Sequence, residues 1–177
     1  MDNFNQSNIQ KEQEFSATYE KYADAIYRHC YFRVYSKDLA EDLTQETFIK
    51  TWKYIVEGKE IKNIKSFLYR VAINLIIDNS RKKTALVLDD IKEKEASIRL
   101  YSMESDMIDN LEAKEVIKML DDLDDKYRQV IVMRYINQLS PPEIAEILEI
   151  STNAVSVKIN YAIKKLKKII KTKYHES

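Results

Sequence analysis

The chain has 177 residues, 45% of them hydrophobic, enough for one ordinary domain or two small ones with their own cores. Its 29 basic and 29 acidic side chains cancel, so any affinity for nucleic acid must come from how charge is distributed. One glycine and two prolines leave little material for hairpins and sheet turns, and the lone Cys30 with His29 and His175 excludes an intrachain disulfide and a zinc constellation; a largely helical, metal-free protein is expected.

Met1 to Glu14 is polar, without a basic leader or an apolar run resembling a signal peptide, and no later stretch reaches the length of a membrane span, so a cytoplasmic address is expected. From Phe15, the residues Phe15, Tyr19, Tyr22 and Ile26 recur every three or four positions, which predicts a helix with one buried face to about Tyr35. Asp38 followed by Glu41 reads as the capping box of a second helix, with Ala40, Leu43, Thr47, Phe48, Trp52 and Ile55 as its stripe and Gly58 as its end. A basic loop, Lys59 to Lys65, leads into a third helix that buries Phe67, Leu68, Val71, Ala72 and Leu75 and ends near Lys83. Residues 1–83 then form a first helical domain whose apolar stripes are committed to its own core.

Between residues 84 and 112 the periodicity weakens and acidic residues outnumber basic ones, as in a solvated linker. A second domain, 113–177, begins with Val116, Ile117 and Leu120, breaks at the aspartates 121 to 125, and resumes through Val130, Ile131 and Met133. Ser140-Pro141-Pro142-Glu143 is a capping box with prolines in the first turn, where their missing N–H groups cost nothing, and it starts a short helix from Pro141 to Leu148. Ile144, Ala145 and Leu148, followed by Ile150, Val155 and Ile159, have the spacing of a helix-turn-helix with Ser151 as the second cap. From Ser151 to Tyr174 there are seven lysines and no acid, a charge that suits a phosphate backbone.

In the first domain, Lys59, Lys62, Lys65, Arg70, Arg81, Lys82 and Lys83 concentrate on the loop and third helix, while Asp38, Glu41, Asp42 and Glu46 crowd the start of the second. One face can approach nucleic acid and another a basic protein surface. No glycine-rich phosphate loop or nucleophile motif is present, which disfavours an enzyme.

Taken in order, these blocks resemble the sigma-70 family, in particular the extracytoplasmic-function (ECF) sigma factors of bacterial RNA polymerase. Ala40 through Phe48 looks like that family's polymerase-clamp motif, Phe67 through Asp78 like its minus-ten reading helix, and Leu139 through Val155 like its minus-thirty-five reader. The resemblance implies an all-α, non-catalytic, cofactor-free protein of two small helical domains joined by an acidic linker. Its partners would be core RNA polymerase and promoter DNA, with an anti-sigma factor as a further partner the resemblance admits. Glu41, Asp42, Gln45 and Glu46 would bind polymerase. Lys62, Asn63, Lys65, Arg70, Asn74, Arg81 and Lys82 would contact DNA in the first domain, and Ser151, Thr152, Asn153, Ser156, Lys158, Asn160 and Lys164 in the second.

The chain departs from the family where arginines usually follow the equivalent of Val155. Here the stretch is Ser156-Val157-Lys158-Ile159-Asn160, and lysine lacks arginine's planar fork for guanine. Two alternatives stay open at this stage: a dimeric helix-turn-helix regulator, and a sigma-like protein that does not open promoters.

Overall fold

The structure, a computed structural model, describes residues 2–87 and 111–175, and among these every regular element is a helix. Helix α1 spans Asp2–Val34, beginning well before the periodic stripe that starts at Phe15. Tyr35 then adopts a left-handed conformation (φ 53°) and Ser36 an extended one, which turns the chain before α2, Lys37–Val56. The cap of α2 is therefore Ser36, whose hydroxyl accepts from the Leu39 N–H at 3.3 Å, rather than Asp38; that aspartate sits in the first turn, favourably placed against the helix dipole. Three buried threonines on α2, Thr44, Thr47 and Thr51, each donate back to the carbonyl four residues earlier, at 2.6, 2.7 and 2.8 Å, so their burial leaves no hydroxyl unpaired.

Helix α3 spans Ile64–Val87, past the expected end at Lys83. It buries more than the five expected positions, with Ser66, Leu68, Tyr69, Ala72, Ile73, Leu75 and Ile76 all enclosed, while Phe67 and Val71 are only half-buried. The reason is that α3 is covered on two sides, by α1 and α2 on one and by a later helix on the other. Of the segment read as a linker, 84–87 belong to α3 and 111–112 to the next helix; residues 88–110 lie outside the described residues.

The second group comprises α4 (Leu111–Asp121), α5 (Asp125–Ile131), α6 (Pro141–Leu148) and α7 (Thr152–His175). The Arg128 guanidinium donates to the carbonyls of Leu120, Asp121 and Leu123 at 3.0–3.3 Å, satisfying acceptors that the end of α4 leaves open. Helix α5 continues into a π-helical turn, Val132–Ile136, closed by the Asn137 N–H on the Val132 carbonyl. That widened turn aims the Asn137 side chain at α1, where Nδ2 donates to the Ala25 carbonyl at 3.1 Å and Oδ1 lies 3.0 Å from Nδ1 of His29.

The two helical groups share one apolar core. Ile26, Cys30, Leu68, Tyr69 and Ile73 from the first belong to the same buried cluster as Val130, Met133, Leu139, Ile144 and Ile159 from the second. This corrects the expectation that the stripes of the first group are used up within it: α1 presents one side to α2 and α3 and another to the π turn. Polar anchors accompany the contact. Arg33, its side chain 1% exposed, forms a two-oxygen hydrogen bond to Asp125 at 2.8 and 2.9 Å. His29 is fully buried, its ring nearly perpendicular to that of Tyr69 with centroids 5.2 Å apart.

Candidate nucleic-acid interface

The helix-turn-helix forms as its local chemistry dictates. The Ser140 hydroxyl accepts from the Glu143 N–H, and the Glu143 carboxylate in turn accepts from the Ser140 N–H at 2.8 Å, which is the reciprocal capping box. Helix α6 stops where Glu149 turns left-handed (φ 54°), and the Ile150 N–H closes on the Ala145 carbonyl. Ser151 then caps α7 by accepting from the Ala154 N–H at 3.1 Å. Val155, Ile159 and Ala162 are buried and fix which side of α7 faces inward.

The outward side carries Ser151, Thr152, Asn153, Val157, Asn160, Tyr161 and Lys164, all exposed. Among the expected contacts, Ser156 and Lys158 are half-buried, and the Ser156 hydroxyl already donates to the Thr152 carbonyl. The sequence reading missed Val157 and Tyr161, which lie on the Asn153 face at helical spacing; counting from the buried Val155 would have found both. Tyr161 is also held in place, stacked on Tyr127 with ring centroids 4.4 Å apart. Lys165 pairs with Asp124 at 3.4 Å and so is engaged within the chain.

The basic surface at the start of α3 is organised differently. Asn63 caps that helix, its Oδ1 accepting from the Ser66 N–H, and its Nδ2 donates to both oxygens of Glu146 at 3.0 and 3.1 Å. Lys65 donates to Glu143 at 2.7 Å and Arg70 to Glu149 at 3.1 Å. The hydrogen bond from Lys65, joined by two from Ser140, holds the Glu143 carboxyl at about 2. Lys62, Asn74, Arg81 and Lys82 remain exposed. The loop before α3 bounds a cleft of about 370 Å³ against α1, lined by Phe15, Thr18, Ile55, Lys59, Ile61 and Ile64 among others, and neither Asn63 nor Asn74 lines it.

On α2, Glu41, Asp42, Gln45 and Glu46 form an exposed acidic face, with Glu46 and Lys50 paired at 3.2 Å. Ile49, 52% exposed, stands in the same face one turn on, an apolar member that charge counting passes over. Cys30 is buried, which pushes its thiol up to about 12, so it behaves as a core residue. Among the described residues no group of His, Cys, Asp and Glu could hold a metal ion, and no helix is long and apolar enough to cross a membrane.

Comparison with known proteins agrees with this layout. Residues 18–85 match the family described as Sigma-70 region 2, and residues 113–166 match Sigma-70, region 4. The ECF RNA polymerase sigma factor SigW of Bacillus subtilis (strain 168) is 34% identical over 163 residues, covering 87% of each chain. SigM of the same organism, also an ECF RNA polymerase sigma factor, is 32% identical over 136 residues, 75% of this chain and 80% of its own. Among solved structures, the sigma factor RpoE from Bartonella quintana, in complex with the anti-sigma factor NepR, superposes with a TM-score of 0.73 at 20% identity over 90% of this chain and 98% of that one. That likeness is one of fold, and it takes in both helical groups.

Proposed function

The chain belongs to the sigma-70 family as an ECF sigma factor that directs RNA polymerase in transcription initiation, and from that premise we propose how its surfaces divide the work. The acidic face of α2, Glu41, Asp42, Gln45 and Glu46 with Ile49 at its edge, docks on the polymerase clamp. The start of α3 and the loop before it, through Lys62, Asn63, Lys65, Arg70, Asn74, Arg81 and Lys82, hold the downstream promoter element. The adjoining cleft is the candidate receptacle for an unstacked base. Helix α7 reads the upstream element through Ser151, Thr152, Asn153, Ser156, Lys158, Asn160 and Lys164. Residues 1–83 and 113–177 serve as the two working units and 84–112 as their connection.

The observation that carries this division is the segregation of three surfaces along one chain: an exposed acidic face on α2, a basic one at α3 and an acid-free exposed face on α7. Acid meets protein and base meets phosphate, so surfaces of opposite sign on adjacent helices suit a factor held between polymerase and DNA. The protein works without catalysing a reaction, in the cytoplasm where polymerase and promoter are, and an anti-sigma factor is its proposed third partner. Run-off transcription with purified core polymerase, with and without the chain, on a promoter library from its source organism tests the reading. Promoter-specific transcripts are expected only with the chain, and polymerase binding without transcripts would assign it to factors that do not open promoters.

A further inference from the structure

In the stretch of α7 where the family usually carries arginines, the exposed side chains are Asn153, Val157, Asn160 and Tyr161, and the one cation of residues 153–161, Lys158, is half-buried. Val157 is 59% and Tyr161 50% exposed, an apolar pair one turn apart. Tyr161 is held in this position. Its ring stacks on that of Tyr127 from α5 with the planes 29° apart, and Tyr127 is packed in turn against the cluster that contains Leu123, Ile131 and Ala162. A ring fixed before any ligand arrives loses little side-chain freedom on contact.

The apolar group that a base pair offers in the major groove is the thymine methyl, and the asparagine amide matches the N6 and N7 edge of adenine. A G·C pair would instead set O6, N7 and N4 against Val157 and the tyrosine ring, which leaves polar groups unpaired in a contact that excludes water. Resting on the assignment of α7 as the reader of the upstream element, we propose that this stretch selects A·T base pairs there. Val157 and Tyr161 seat thymine methyl groups, Asn153 and Asn160 take adenine, and Tyr127 is the positioning residue that holds the Tyr161 ring. Affinity and choice are thereby separated along one helix: the exposed Lys164 and Lys168 attract phosphate whatever the sequence, and the turns before them choose the base pair.

The test uses the full chain on core polymerase and a promoter duplex recovered by run-off transcription, made either with thymine or with deoxyuridine at every thymine of the upstream element, which removes only the methyl groups. The parent should bind the uracil form about fourfold more weakly for each methyl group seated, the worth of one buried methyl. Tyr161→Ala with Val157→Ser should bind the two forms equally. Tyr161→Phe should discriminate as the parent does, because the ring rather than the hydroxyl makes the contact. Tyr127→Ala should lose part of the discrimination with Tyr161 still present and the helical circular dichroism unchanged, and Tyr127→Phe should restore it. Equal binding of both forms by the parent overturns the proposal, as does undiminished discrimination by the Tyr161→Ala, Val157→Ser variant. Lys164→Ala then tells which level has failed. If it weakens both forms alike, α7 lies on the DNA and only the choice of A·T is wrong; if it changes neither, the placement of α7 on the upstream element falls as well.

Discussion

Lys65 and Arg70 on α3 and Lys164 and Lys168 on α7 are cations on helices of one chain, yet the first two face Glu143 and Glu149 while the second two face solvent. The difference lies in where the opposing acids are encoded. Along α7 no acid occurs within the helix up to Lys173, so its charge is open by local sequence alone. The acids that meet Lys65 and Arg70 come 78 and 79 residues later and arrive only through tertiary packing. A run of like charge therefore marks a surface, and long-range packing decides whether that surface is free.

The acidic face of α2 is a third case, charged and exposed, and its loss should have the largest effect. Asp42→Lys with Glu46→Lys should abolish co-purification with core polymerase while leaving the helical circular dichroism unchanged, because both side chains are exposed and like charges across an interface repel strongly. Recovery of polymerase at the parental yield would remove this face from the docking assignment. Ile49→Ala should weaken the same binding without abolishing it.

The packing that separates the two basic surfaces can be attacked at Arg33. Asp125→Ala leaves a buried guanidinium with no acceptor, and Nε and Nη1 of Arg33 already lack partners, so a loss of about 3–5 kcal/mol in urea unfolding is expected. Arg33→Met should cost less, since it strands only Asp125, which is 63% exposed and can return to water. Equal losses from the two substitutions would mean that apolar packing, rather than the buried charge, dominates there.

His29 gives a milder and graded way to loosen the same contact. Burial, followed by the nearby Arg33 cation and opposed by the Asn137 hydrogen bond, lowers its pKa to about 3, so it is neutral in the folded chain beside Tyr69. Between about 3 and 6.5 the unfolded chain holds a proton that the folded chain refuses, and stability falls as pH falls. At roughly 1.4 kcal/mol per pH unit, about 2 kcal/mol should be lost from pH 6.5 to 5. His29→Gln should flatten that slope. Glu143 acts only lower down: its depressed carboxyl contributes above its unfolded value of 4.5, and that contribution disappears as pH falls toward about 2.

Much of this was legible in the sequence. The capping box at Ser140, the cap at Ser151 and the buried Val155 and Ile159 stand where propensity and period put them, because each depends on residues within four positions. The α2 cap was misplaced by two residues, since Ser36 wins only once Tyr35 has turned left-handed, a conformation nothing in its residue type announces. The double-sided burial of α3 and the pairing of Asn63, Lys65 and Arg70 were not legible. They depend on a helix 78 to 83 residues away, and a period-based stripe records burial without saying which neighbour supplies it.

The smallest effects expected lie on α7, where the comparison can be refined within one open surface. Lys164 is exposed and has no acid near it in sequence, so Lys164→Ala should weaken binding to promoter and scrambled duplex alike and lower the salt slope by about 0.9, one phosphate's worth. Val157 differs in kind. It is 59% exposed, flanked at helical spacing by Asn153 and Asn160, and an apolar side chain there can lie against a thymine methyl in the major groove. Val157→Ser should leave the salt slope untouched and reduce discrimination between promoter and scrambled DNA by roughly 1 kcal/mol, the low end for a base contact. Ser156→Ala should do less, because its hydroxyl is already spent on the Thr152 carbonyl. Filter binding at four salt concentrations separates these outcomes. If Val157→Ser and Lys164→Ala weaken both DNAs equally, α7 is an electrostatic tether, and promoter choice moves to the surface that α6 covers.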